Sequence, residues 1–119
     1  MGRYVDGFLI PLPKDKLEEY KAMAEKAGKV WKEHGALEYI ECIGDDLDQT
    51  EMVSFKQSAG ASDGETVAFS WIVYESREHR DTVNAAVMND PRMKEMMEAA
   101  TPFDCKRMAY GGFKTLVKL

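Results

Sequence analysis

An acid inside an apolar strand and an imidazole at a helix end have the most scope for chemistry in this 119-residue chain. Asp6 stands in Tyr4-Val5-Asp6-Gly7-Phe8, among residues that read as a buried strand. Burial raises the pKa of such a carboxyl unless a cation or several N–H donors balance its charge. Arg107, on a strand expected beside the first, is its candidate partner. The pair then lines a pocket or a dimer interface, or is a plain structural ion pair. His34 ends the stripe Leu17, Tyr20, Ala24, Ala27, Trp31, where the helix dipole favours the imidazolium. It suits an acid, base or anion-binding group at the rim of a cavity, and equally a cap on the last helical carbonyls. Trp31, Trp71, Tyr39, Phe69 and Tyr110 have the types to line a pocket for a planar small molecule, or to fill an ordinary core.

The remaining chemistry-bearing letters point nowhere specific. Cys42 and Cys105 belong to no CxxC or Cys/His cluster, and free thiols are the expected state. The acidic loop Asp45, Asp46, Asp48, Glu51 lacks the EF-hand spacing and its glycine, so it reads as a solvated cluster and no metal site is expected. No glycine-rich phosphate loop, dinucleotide fingerprint or nucleophile elbow occurs, and no cofactor is expected.

Positioning these groups falls to a short series of elements. Arg3 to Leu12 alternates apolar residues on both faces and reads as a strand halted by Pro11 and Pro13. Asp15 with Glu18 resembles a capping box, and the stripe from Leu17 to His34 predicts a helix closed by Gly35. A second strand is expected over Ala36 to Gly44. The polar stretch Asp45 to Glu65 is expected to hold a small hairpin arm, with a strand at Met52 to Gln57 turned back through Ser62-Asp63-Gly64. Thr66 to Tyr74 is rich in β-branched and aromatic residues and predicts a strand. Ser76 caps the next helix, and Asp90-Pro91 starts a further segment carrying Met93, Met96, Met97 and Ala100. Lys106 to Val117 predicts a last strand interrupted at Gly111-Gly112 by a bulge or a close backbone approach.

The order β-α-β-(β)-β-α-β fits one α+β domain over residues 1–119. Its expected form is a ferredoxin-like split βαβ with a four-stranded antiparallel sheet and the hairpin arm. Both helices then cover one sheet face. The other face is left open, yet the strands are apolar on both sides, with Phe69, Trp71 and Val73 on one and Ile72 and Tyr74 on the other. An exposed apolar face of that size predicts a homodimer packed sheet to sheet. With 16 Lys plus Arg against 21 Asp plus Glu, the net charge of −5 argues against a nucleic-acid partner. No run of 18 apolar residues exists to span a membrane and none near the N-terminus resembles a signal peptide, so a cytoplasmic location is expected.

Particular motifs then narrow the field. Tyr4-Val5-Asp6-Gly7-Phe8, Glu33-His34-Gly35-Ala36-Leu37-Glu38, Phe69-Ser70-Trp71-Ile72 and Asp90-Pro91-Arg92-Met93 are four of them. Pro102-Phe103-Asp104, Lys106-Arg107-Met108 and Tyr110-Gly111-Gly112-Phe113 complete the set. Together they resemble the YbaA-like family of small bacterial proteins, domain of unknown function 1428, over essentially the whole chain. One departure is Cys105, where the resemblance leads one to expect Gly. The resemblance implies a dimeric α/β barrel. That superfamily includes cofactor-independent monooxygenases, haem-dependent enzymes and small-molecule binders or isomerases, but the family itself brings no catalytic residues. The expected function is therefore small-molecule binding in a sheet–helix cleft, with oxygenase or isomerase chemistry as its extension. The cleft candidates are His34, Trp31, Trp71, Asp6, Arg107 and Tyr110. A non-catalytic protein-interaction module using its acidic surface is the alternative.

Overall fold

The computed structural model describes residues 2–119. Its strands are β1 (Tyr4–Pro13), β2 (Glu38–Ile43), β3 (Glu65–Tyr74) and β4 (Ala109–Lys114). Its helices are α1 (Leu17–Glu33), α2 (Phe55–Ala59), α3 (Arg77–Met88) and α4 (Pro91–Glu98). The four strands form one antiparallel sheet in the order β2-β3-β1-β4, the α+β, ferredoxin-like arrangement expected.

Pro11 and Pro13 do not halt β1, which pairs with β3 as far as Pro13↔Glu65. Strand N–H groups alternate sides, and the Lys14 N–H points toward β3, onto the Gly64 carbonyl at 3.0 Å. Both prolines therefore turn their missing N–H toward β4, whose pairing with β1 ends at Leu9↔Ala109. No ladder bond is lost.

Asp15 does not cap α1. A 3₁₀ turn over Lys14–Lys16 leads into the helix, and Lys16 at the N-cap makes no side-chain cap bond. The far end follows expectation, with Gly35 at φ 116° where a side chain would be strained. Ser76 and Asp90 accept from the His79 and Arg92 amides as N-caps of α3 and α4.

The hairpin arm is absent from the described residues. Residues 55–59 instead form the one-and-a-half-turn helix α2, capped by the Ser54 hydroxyl on the Gln57 amide and closed by Gly60 at φ 66°. A local cap at each end satisfies this segment's backbone, so no strand partner is needed. The last strand is also shorter than expected. Asp104 caps a 3₁₀ turn over Cys105–Arg107, and no non-glycine residue among the described ones has positive φ, so cysteine at 105 is unstrained. β4 carries no bulge at Gly111-Gly112, which pair in register with Gly7 and Asp6. The two glycines leave room for aromatic rings: that of Phe113 beside Gly111 and that of Tyr4 over Gly112.

Strand alternation divides the sheet cleanly. Tyr4, Asp6, Phe8, Ile10 and Leu12 of β1 share a face with Ala68, Ser70, Ile72 and Tyr74 of β3. The helices cover this face in two contiguous clusters. One joins Val30, Ile72, Tyr74, Val83, Val87 and Met93; the other joins Ile10, Leu12, Tyr20, Ala24 and Ala68. The opposite face carries Val5, Gly7 and Leu9, with Phe69, Trp71, Phe113, Ile40 and Cys42, and Phe55 of α2 lies against it with its ring 5.8 Å from that of Phe69. Phe69 is 45% exposed and Phe113 63% exposed. Among the described residues, no helix is long and apolar enough to cross a membrane.

Candidate functional site

Between the sheet and its helices lies a cleft of about 540 Å³. Its floor is Asp6, Phe8 and Ile10 of β1 with Ser70 and Ile72 of β3. Trp31, Tyr20 and Met23 of α1 form one wall, and Tyr110, Asn84 and Met88 contribute to the other. Met93 and Met97 of α4, with Phe103 and Met108 beyond it, close over the top. Five methionines thus line one apolar cavity, a surface that can re-pack around differently shaped guests.

Asp6 is its most unusual residue. It is 1% exposed, and its Oδ1 has no hydrogen-bond partner among the described residues. Arg80 Nη1 of α3 stands 3.6 Å from that oxygen, close enough for charge but too far for a hydrogen bond. Burial raises the Asp6 pKa above the usual carboxylate value, and the Arg80 charge offsets part of that rise. The Arg80 guanidinium is otherwise engaged, donating to the Tyr110 hydroxyl at 2.8 Å and the Tyr4 hydroxyl at 3.1 Å. Burial and the neighbouring Asp6 charge push the Tyr74 and Tyr110 phenols upward, so both remain protonated near neutrality. Trp31 Nε1 donates to the Tyr74 hydroxyl at 3.1 Å, which itself donates to Asn84 Oδ1 at 3.3 Å. This chain of bonds ties α1 and α3 to the sheet beside Asp6.

A second polar group closes the β2 end. Glu41 accepts from the Tyr20 hydroxyl at 2.5 Å and from the Tyr39 hydroxyl at 2.7 Å. Burial first, then the Glu41 charge, keeps both phenols protonated. These three residues also border an outer groove of about 780 Å³ between α1 and β2. Tyr39 can lie against α1 because position 28 is glycine: a Cβ there would stand 2.7 Å from Tyr39 Cδ1.

The sequence-derived candidates separate in space. Asp6, Trp31 and Tyr110 meet in the cleft, with Tyr39. Trp71 and Phe69 lie on the opposite sheet face, 5.6 Å apart, because antiparallel alternation turns them away from Ile72. Arg107 is not the partner of Asp6. It forms a two-pronged pair with Glu65, both contacts at 2.8 Å, and donates to the Gly60 carbonyl. Arg107 precedes β4, so it never reaches the register position facing Asp6. His34 does not line the cleft: its Nε2 meets Asp90 Oδ2 at 2.8 Å and joins the end of α1 to the start of α4. Arg92 bonds the same carboxylate and Glu33, completing a surface latch. Sequence reasoning passed over Arg80, Asn84 and Tyr74 as site residues. A cation one turn from Asn84, on the helix side that buries Val83 and Val87, was the available signal.

Residues 3–105 match the model of the family described as protein of unknown function DUF1428. The chain belongs to that family. It is 46% identical over 115 residues to the uncharacterized protein YbaA of Escherichia coli K12, covering 97% of each chain. The same identity and coverage hold for YbaA of Shigella flexneri. Among solved structures, this DUF1428 chain is similar to a candidate antibiotic biosynthesis monooxygenase from Nitrosomonas europaea. The TM-score is 0.60 at 14% identity, covering 98% of this chain and 93% of the other. A NIPSNAP family protein of unknown function from Agrobacterium tumefaciens gives 0.60 at 14% identity, covering 96% and 88%. At such identities these likenesses show a shared fold, not a shared reaction.

Proposed function

We propose that the chain binds a small, largely apolar molecule in the cleft between sheet and helices, with Asp6 as the group that takes a hydrogen bond or a proton from it. The observation that carries this reading is the unpartnered Asp6 oxygen at the floor of a methionine- and aromatic-lined cavity. A buried acceptor without a donor costs about 1–3 kcal/mol, and a ligand donor would recover it. In such a water-poor site a carboxylate of raised pKa is a competent base. The accessible step is then abstraction of a ligand proton: the bond to hydrogen breaks, its electron pair stays on the ligand, and Asp6 holds the proton. Return of that proton to another atom is isomerase chemistry, and attack of the resulting anion on dioxygen is cofactor-independent oxygenase chemistry. The fold shared with the Nitrosomonas europaea protein is compatible with the second outcome.

The assembly proposed with it is a homodimer joined through the open sheet face. Gly7 and Gly111 pair at the centre of that face, and Phe113 lies beside both, leaving a flat aromatic patch. Among the described residues, the paired strand positions of this face contribute two charged residues, both at its margins: Glu38 at the β2 edge and Glu65 at the end of β3, the latter paired with Arg107. A second copy presents the same apolar centre about a two-fold axis, which makes the contact self-complementary.

The test of the cleft uses methionine-methyl ¹³C NMR with 2-methylnaphthalene as a neutral apolar probe. The ε-methyls of Met23, Met93 and Met108 are expected to shift saturably, while Met52, 75% exposed and outside the cleft, stays in place. Absence of any saturable shift among the five cleft methionines, with native mass spectra showing no retained small mass, overturns the reading.

A further inference from the structure

We propose that the cleft selects an uncharged ligand bearing an N–H or O–H donor and discriminates against carboxylates of the same shape. This rests on the cleft being a ligand site and adds the chemical class of the occupant.

The charges facing the cavity carry the inference. Among the residues lining it, Asp6 and Glu41 are the only carboxylic acids, and no Lys, Arg or His is present. Arg80, the cation beside Asp6, is not among the lining residues: its Nη1 stands 3.6 Å from Asp6 Oδ1, and Nη1 and Nη2 donate to the Tyr110 and Tyr4 hydroxyls. Glu41 has no cation paired with it among the described residues; both its oxygens are held by tyrosine hydroxyls. A bound anion would meet one carboxylate at the floor and another at the β2 end, with no guanidinium or ammonium to receive it. Weak screening in an apolar cavity makes that repulsion costly. A neutral donor meets the opposite situation. Asp6 Oδ1 is an acceptor without a partner, and a donated N–H or O–H completes it.

Apolar walls add size and flatness to this class. Phe8 and Ile72 flank Asp6 on the floor and Trp31 and Met93 stand above it, so a fused-ring body placed over Asp6 buries its faces while its polar edge reaches the carboxylate.

Naphthalene-2-carboxamide and naphthalene-2-carboxylate separate the terms, because they differ in charge and donor but hardly in shape. Near neutral pH the carboxamide is expected to bind wild-type protein roughly tenfold or more tightly than the carboxylate. 2-Methylnaphthalene reports ring binding alone. Asp6→Asn replaces an acceptor-only carboxylate with an amide that can also donate, and is expected to narrow the carboxamide preference. Glu41→Gln is expected to improve carboxylate binding and so narrow the ratio between the two probes. Equal affinities for the two probes, or a carboxylate preference, overturn the inference while the methylnaphthalene response leaves the cleft standing. No saturable binding of any of the three overturns the cleft itself. The wild-type ratio decides the matter even if Asp6→Asn fails to fold.

Discussion

Gly28→Ala sets two effects of known sign against each other. Alanine in place of glycine inside a helix ordinarily stabilises by about 1 kcal/mol, because the unfolded chain loses freedom. Here the added Cβ would stand 2.7 and 2.9 Å from Tyr39 Cδ1 and Cε1, well inside the optimum of about 3.5–4.0 Å for carbon atoms. The ring cannot easily withdraw. Its hydroxyl is bonded to Glu41 at 2.7 Å, and its face meets Trp31 at a centroid separation of 6.2 Å. Forcing a methyl group into packed surroundings costs about 1–3 kcal/mol, so the net expectation is destabilisation by roughly 1 kcal/mol. Urea unfolding should show a lower midpoint with an unchanged slope. In a Tyr39→Ala background the obstruction is gone, and the same substitution should raise the midpoint. A rise in the background where Tyr39 is intact would refute the reasoning, because it would mean that the ring yields at no cost.

Three other expectations concern different parts of the molecule. Arg107 first, then the Ser62 amide, lowers the Glu65 pKa from 4.5 to about 2. A depressed carboxylate stabilises the fold above its unfolded value, so the stability advantage of wild type over Glu65→Gln should be full above pH 4.5 and fade toward pH 2 in acid unfolding curves. His34→Ala removes the latch to Asp90 but touches no cleft wall. It should leave the affinity for a cleft probe within about twofold by methionine-methyl titration while lowering the melting temperature. Phe113→Glu places a charge on the flat aromatic patch and should shift the proposed dimer toward monomer by light scattering. A wild-type protein that is already monomeric would remove the proposed interface.

Much of the frame was legible because its signals are local or periodic. The Leu17-to-Trp31 stripe, Ser76, and Asp90-Pro91 each state a helix boundary or face within a few residues. The segment at 52–57 was read as a strand because its apolar run is too short to show a period. Ser54 and Gly60 marked its ends as a small helix all along. The site was half legible. Asp6 stood out as an acid in an apolar strand, but its partner depended on register: the turn before β4 supplies Arg107 to Glu65 instead, and a helix supplies Arg80. Trp31 and Trp71 look alike as letters. Only the pairing of Gly7 with Trp71 and of Asp6 with Ile72 reveals that the second tryptophan faces away from the cleft.

That division has an optical consequence. The chain holds two indoles, and the sheet lies between them: Trp31 in the cleft, hydrogen-bonded to Tyr74, and Trp71 on the aromatic face beside Phe69. Emission from a Trp71→Phe protein therefore tracks occupancy of the cavity, and emission from a Trp31→Phe protein tracks whatever covers the other face. Occupancy and self-association, which a bulk signal would merge, are then read separately from two unlabelled single-tryptophan variants.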